Sequence, residues 1–226
     1  MLSNLKIGTR LFALVVSLLV VTGIVIAFGL QALQSSNANL NAQYERQLEP
    51  IARMGEIGTA LSESRSQLLL ALQHDPGSSF ASLHDHPLSL HTNAVDKLRQ
   101  DVDAAWHAVE PRLQGDTERR LAAAFHANLQ KLFAEGIQPA LGLLNDGRYD
   151  QANRVLLARI NPLYAETDRD SDALRSHLAS TAKHGYEAAL ADYERTRNLL
   201  LALGAAGLIF GLGFGTVLAR GISGGI

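Results

Sequence analysis

Two long uncharged stretches constrain this chain more than any other feature. Residues 11–30 (LFALVVSLLVVTGIVIAFGL) and residues 198–219 (NLLLALGAAGLIFGLGFGTVLA) contain no Asp, Glu, Lys or Arg. At about 1.5 Å rise per residue, a helix of either length crosses the roughly 30 Å hydrocarbon core of a bilayer. The first run exceeds the ~7–15 apolar residues of a secretory signal and no A-x-A site follows it, so a retained anchor is expected. Lys6 and Arg10 precede it, which places the N-terminus in the cytoplasm and the following residues outside. Arg195 and Arg197 lie on the outer side of the second run, but a loop as long as residues 31–197 translocates regardless of its charge.

Between the two runs, apolar residues recur at intervals of three and four, and hairpin dipeptides and alternating patterns are nearly absent. The spacing predicts an all-α region of four helices. Helix one carries a stripe of Leu33, Leu40, Tyr44, Leu48, Ile51, Met54, Leu61, Leu68 and Leu72 and stops at HDPGSS. Helix two carries Leu88, His91, Val95, Leu98, Val102, Ala105 and Val109 and breaks at Pro111 and Gly115. Helix three starts near Asp116, carries Leu121, Phe125, Leu129 and Leu132, and ends at LNDGR. Helix four starts near Tyr149. Short turns between them favour an up-down-up-down four-helix bundle flanked by two transmembrane helices.

Arg65 lies on the stripe Leu61, Arg65, Leu68, Leu72, where the spacing predicts a core or dimer-seam position. A guanidinium there is costly unless an anion or hydrogen-bond acceptors meet it. Counting outward from the middle of each turn brings Arg65 level with His91 on helix two, and with Arg159, Asn161 and Tyr164 on helix four. Pro162 predicts a kink there, or a restart with Asn161 as N-cap. Arg65, His91, Arg159, Asn161 and Tyr164 are therefore the candidate ligand-binding residues.

The stretch LHDHPLSLH holds His84, His86 and His91, with His74 just upstream. Helical spacing gives His84 and His91 a common face and points His86 elsewhere, and i, i+3 or i, i+4 pairs are the more usual metal-binding pattern on helices. The four histidines stand as a weaker alternative: a metal-responsive site, or a tip that docks a periplasmic partner. No cysteine is present, so thiolate sites and disulfides are excluded. E-x-x-H, G-x-S-x-G, Walker A and H-E-x-x-H motifs are all missing, and no enzyme activity or cofactor is expected. A net charge of −2 with mixed signs offers nothing to nucleic acid.

Gly207, Gly211 and Gly215 form a G-x-x-x-G series in the second apolar run, and Gly23 and Ala27 have the same spacing in the first. Small residues one turn apart allow close helix packing in a membrane.

The segments NLKIGTRLFAL (4–14), SRSQLLLALQHDP (64–76), LHDHPLSLH, the N-P-L-Y step at 161–164 and RTRNLLLALGAAGLIFGLGFGTVLARGIS (195–223) together resemble bacterial methyl-accepting chemotaxis receptors of the Tar-like group. Their sensor is a periplasmic four-helix bundle, and the LHDHP stretch resembles sequences of proteobacterial members. The resemblance implies a cytoplasmic N-terminus at 1–10, a transmembrane helix at 11–30, a periplasmic ligand-binding bundle at 31–197, a second transmembrane helix at 198–219 and the start of a HAMP linker at 220–226. It further implies a homodimer in the bacterial inner membrane that binds a small organic acid or amino acid and signals to chemotaxis output. Cytoplasmic partners would be reached only through residues that this sequence does not carry. In aspartate-sensing members, three helix-one arginines clamp the ligand carboxylates, and a polar-Pro-Thr step on helix four binds its amino group. Arg65 matches the first arginine and Asn161-Pro162 the step. The other two arginines fall on Leu70 and His74, and the threonine on Leu163, which argues against aspartate itself. Sensor kinases and cyclases share this input layout.

Overall fold

The computed structural model describes residues 7–223. Most of the expected cytoplasmic N-terminus lies outside them, as does the end of the expected linker. The described residues are helical almost throughout, with no strand among them. Seven α-helical segments follow in order: α1 (Ile7–Gln43), α2 (Glu49–Leu72), α3 (Ser89–Val109), α4 (Asp116–Lys131), α5 (Gln138–Asn145), α6 (Tyr149–Val155) and α7 (Asn161–Ser223). Contacts divide the chain into two units, residues 1–42 with 185–226, and residues 43–184.

In the first unit two apolar helices meet through glycines. A Cβ on Gly207 would come within 3.1 Å of Val21 Cγ1, and one on Gly211 within 3.2 Å of Leu18 Cδ2. Those two positions are where the absence of a side chain lets the helices approach. Gly215 and Gly23 have open space instead. Outward from this seam Phe12, Leu19, Leu208, Ile209 and Leu212 are each at least 65% exposed. Bare Leu, Ile and Phe of this kind, on helices long and apolar enough to cross a bilayer, fit lipid better than water. Two hydroxyls on these helices bond back to their own backbone, Ser17 Oγ to the Leu14 carbonyl and Thr216 Oγ1 to the Gly213 carbonyl, the local partner a hydroxyl takes on an apolar helix.

The second unit is an up-down-up-down four-helix bundle built from α2, α3, the α4–α5 helix and the helix that begins at α6. Its core holds the expected stripes from Ile51 onward, but Leu33, Leu40, Tyr44 and Leu48, expected on the same helix-one stripe, are exposed, because no other helix of the bundle covers them. Met54, Leu61 and Leu68 of α2 face Val95, Val102, Ala105 and Val109 of α3, and the rest is filled by Phe125, Leu129, Leu132, Leu144, Ile160, Leu174 and Leu178. Trp106 and Phe125 pack tilted with ring centroids 5.3 Å apart. Two buried hydroxyls are satisfied locally, Ser64 Oγ on the Ala60 carbonyl and Thr167 Oγ1 on that of Leu163. Helix-to-helix polar ties lie at the margins: Arg112 pairs with Glu49 at 3.0 Å, and Asn128 Nδ2 donates to Asp170 Oδ2 at 2.7 Å.

Three of the long helices contain a π-helical turn: Tyr44–Leu48, Leu132–Ile137 and Leu156–Ile160. Each is followed two residues later by a proline, Pro50, Pro139 and Pro162. In every case the residue before the proline donates five residues back, Glu49 to Tyr44, Gln138 to Phe133 and Asn161 to Leu156. A proline ring crowds the carbonyl four residues behind it and brings no N–H. Opening the preceding turn moves that carbonyl aside and lets the helix continue. The expected restart at Asn161 is therefore corrected: its φ −59° and ψ −47° are helical, and its side chain is not a cap.

The α5–α6 connection is a Schellman turn. Arg148 N–H donates to the Leu143 carbonyl and Gly147 N–H to that of Leu144, with Gly147 at φ +72°.

Candidate functional site

Two polar groups interrupt the bundle near the α2–α3 turn. The first is built on Arg65. The buried residues of α2 here are Leu61, Ser64, Leu68 and Ala71, and Arg65 falls one position outside them, on the exposed face. It is therefore not a core residue of this chain, which removes one of the two placements its spacing predicts. Its Nε–H donates to Asn161 Oδ1 at 3.1 Å, and its guanidinium carbon lies 5.6 Å from the centre of the Tyr164 ring. The π turn Leu156–Ile160 precedes Asn161, and Tyr164 follows one helical turn later, so both side chains reach α2 from α7. Both partners are neutral, and among the described residues Arg65 makes no ion pair. Arg159, within the π turn, is exposed, with no partner among the described interactions.

The second group is the set of four histidines. One ring nitrogen of each of His74, His84, His86 and His91 lies within 4.8 Å of the others. Helical spacing predicts that His86 points away; it does not, because the segment holding it is not helical. A short 3₁₀ turn, Ala81–Leu83, leads into an extended His84, φ −83° and ψ 119°, and α3 begins only at Ser89. Residues before a proline avoid helical dihedrals, so His86, ahead of Pro87, is held off the helix and folds back over His91. His74 enters from the end of α2, its ring centroid 4.0 Å from that of His84 and 5.2 Å from that of His91.

Hydrogen bonds orient these rings. Gln67 Nε2 donates to Glu63 Oε1 at 2.7 Å, which turns Gln67 Oε1 towards His91 Nδ1, 2.6 Å away. Asp85 Oδ1 sits 2.9 Å from His86 Nδ1. An amide oxygen and a carboxylate only accept, so both histidines carry their proton on Nδ1. The two Nε2 atoms then face each other at 2.9 Å, with His84 Nδ1 3.4 Å from that of His86. His91 is buried and the other three are half-buried; His74 Nε2 is buried without a hydrogen-bond partner. Burial first, and then the neighbouring imidazoles, hold His74 and His91 below the ordinary histidine pKa. The hydrogen bond from His86, with smaller help from the Asp85 backbone and the His86 charge, holds Asp85 below the usual carboxylate range.

Of the candidate residues, Arg65, Asn161 and Tyr164 thus meet, His91 joins the histidine group, and Arg159 stands apart. Gln67 and Asp85, which orient two of the rings, were not singled out from the sequence. No spacing in the sequence signals either role, since both rest on side-chain hydrogen bonds. Leu70 and Leu163, at the second-arginine and threonine positions, carry no polar group.

Residues 1–182 match the family model described as Tar ligand binding domain homologue. No curated protein and no solved structure matches the chain.

Proposed function

Given that this chain belongs to the family of Tar ligand binding domain homologues, we propose that it is the sensor region of a two-pass inner-membrane chemoreceptor, binding a small carboxylate through Arg65, Asn161 and Tyr164. Domains of this family are ligand-binding modules of chemoreceptors, which function as dimers in a membrane. The division into a first span at 11–30, a periplasmic bundle at 31–197 and a second span at 198–219 goes with that reading, as does a HAMP linker beginning at 220–226. The two lipid-compatible helices support it.

The observation that carries the ligand assignment is the state of Arg65. Its Nε–H is used by an amide oxygen and its face by an aromatic ring, while its charge meets no acid among the described residues. The two terminal nitrogens of the fork are suited to a bidentate carboxylate. Its exposure on α2 suits a site completed by a second copy of the chain. With no second or third arginine, the ligand has fewer carboxylate contacts than aspartate receives in the aspartate-sensing members.

A ligand touching both α2 and α7 biases the position of α7 against the rest of the bundle. Helix shifts on the order of 1–2 Å are the usual currency of such switching, and α7 continues as one helix from Asn161 to Ser223, into the second proposed span. The test is thermal melting of the detergent-solubilised full chain against dicarboxylic acids, hydroxy acids and amino acids. The bound state raises the melting midpoint, and at a hundred times Kd the stabilisation is about 2.7 kcal/mol. The shift is expected with one carboxylate and is expected to vanish in Arg65→Ala. An equal shift in that variant removes Arg65 from the site.

A further inference from the structure

We propose that His74, His84, His86 and His91 form a binding site for one borderline transition-metal cation of the zinc class, separate from the anion site on Arg65. The inference starts from hydrogen bonding. Gln67 and Asp85 take the Nδ1 protons of His91 and His86, so the Nε2 atoms 2.9 Å apart both present lone pairs. Two lone pairs at that distance repel unless something positive lies between them. A shared proton satisfies one such pair and leaves His74 and His84 outside it. A metal ion engages all four rings.

Donor chemistry and geometry agree. Neutral imidazoles select Zn²⁺, Cu²⁺, Ni²⁺ or Co²⁺ over Mg²⁺ and Ca²⁺, which take oxygen ligands. Zn–N bonds of about 2.0–2.1 Å in a tetrahedron set nitrogens roughly 3.3–3.4 Å apart. Two of the pairs, at 2.9 and 3.4 Å, bracket that spacing. The widest separation, 4.8 Å, closes with ring rotation on a segment that is not helical. A zinc-binding histidine normally donates its second nitrogen's proton to a carboxylate or carbonyl that fixes the ring. Asp85 and the Glu63–Gln67 pair occupy those positions here. His74 arrives from the turn that closes α2, His84 and His86 from the rest of the connection, and His91 from α3, so the ion would staple the connection to α3 and to the end of α2.

The experiment uses the untagged full chain in detergent, stripped with a chelator, dialysed against ZnCl₂ and analysed for bound metal. One Zn²⁺ per chain is expected, unaffected by excess Mg²⁺, with a raised melting midpoint. His86→Ala is expected to lose that Zn²⁺, and Gln67→Leu, a positioning change, to weaken it by about 10- to 100-fold. His107→Ala, on exposed α3 surface, and Arg65→Ala are expected to retain it. Replacing Zn²⁺ with Co²⁺ reports the ligand set directly by the visible absorption of a four-nitrogen tetrahedral site. His86→Ala sits in a half-buried loop, and its helical circular dichroism without metal checks that it folds; His84→Ala serves as the second variant. No stoichiometric Zn²⁺ in the parent chain overturns the proposal, as does retention in both histidine variants. Loss in Arg65→Ala overturns the separation of the two sites, whereas failure of the carboxylate experiment leaves this result untouched.

Discussion

An arginine has five N–H donors arranged as a rigid fork. At Arg65 one of them is committed to Asn161 and the plane rests near Tyr164, which fixes the direction in which the remaining donors point. A lysine keeps the charge and loses the fork. Arg65→Lys is therefore expected to weaken the carboxylate that stabilises the parent chain by about 10- to 100-fold, the worth of one charge-assisted hydrogen bond at roughly 1.5–3 kcal/mol. Isothermal titration checks it, and an unchanged Kd would mean that only charge matters. The meeting of Arg65, Asn161 and Tyr164 was legible by counting along helices from the turns, because both partners sit on regular helix. The convergence of the histidines was not. His84 and His86 lie on a 3₁₀ and extended segment, where a period of 3.6 residues predicts nothing, and the orienting roles of Gln67 and Asp85 depend on side-chain hydrogen bonds that no spacing encodes.

Among the helices, two π turns of the bundle approach closely at a glycine. A Cβ on Gly136 would meet Ile160 Cγ1 at 2.9 Å and Ile160 Cα at 3.5 Å, an obstacle that a branched side chain on a neighbouring helix cannot easily vacate. Gly136→Val is expected to lower stability by about 1–3 kcal/mol through overpacking. Gly142, on the exposed side of α5 with nothing within 4 Å, offers the opposite case. Gly142→Ala is expected to raise stability by about 0.5–1 kcal/mol by removing backbone freedom from the unfolded chain. Urea unfolding of the two variants side by side reads both signs, and a neutral Gly136→Val would mean that the two π turns are not held this close. Helix starts at Asp116 and Tyr149, and the α3 stripe, follow directly from the turn glycines Gly115 and Gly147 and from periodicity. The π turns were visible only as one suspected kink at Pro162, because a proline in a sequence marks a broken hydrogen bond without saying how the helix absorbs it.

At the scale of the molecule, the sequence pattern separates surfaces by solvent. One set of helices buries its Leu and Phe against other helices, and another leaves Phe12, Leu19, Leu208 and Leu212 bare among the described residues. Charge alone predicts such bare faces, since about 20 uncharged residues in helical form have few environments besides lipid. Phe125 is fully buried beside Trp106, the one tryptophan. Phe125→Ala is expected to cost about 3–5 kcal/mol, read by chemical denaturation through Trp106 fluorescence, and a loss under 1 kcal/mol would place the core elsewhere. The facing π turns at Leu132–Ile137 and Leu156–Ile160 have one more consequence. A π turn holds one residue beyond what a regular turn needs, so each arm of the α5–α6 hairpin carries a spacer, set at the same level by the contact of Gly136 with Ile160. Two spacers in step cancel: side chains beyond them still meet the partners they would have met without either, and only a change of length in one arm alone would put the hairpin out of step.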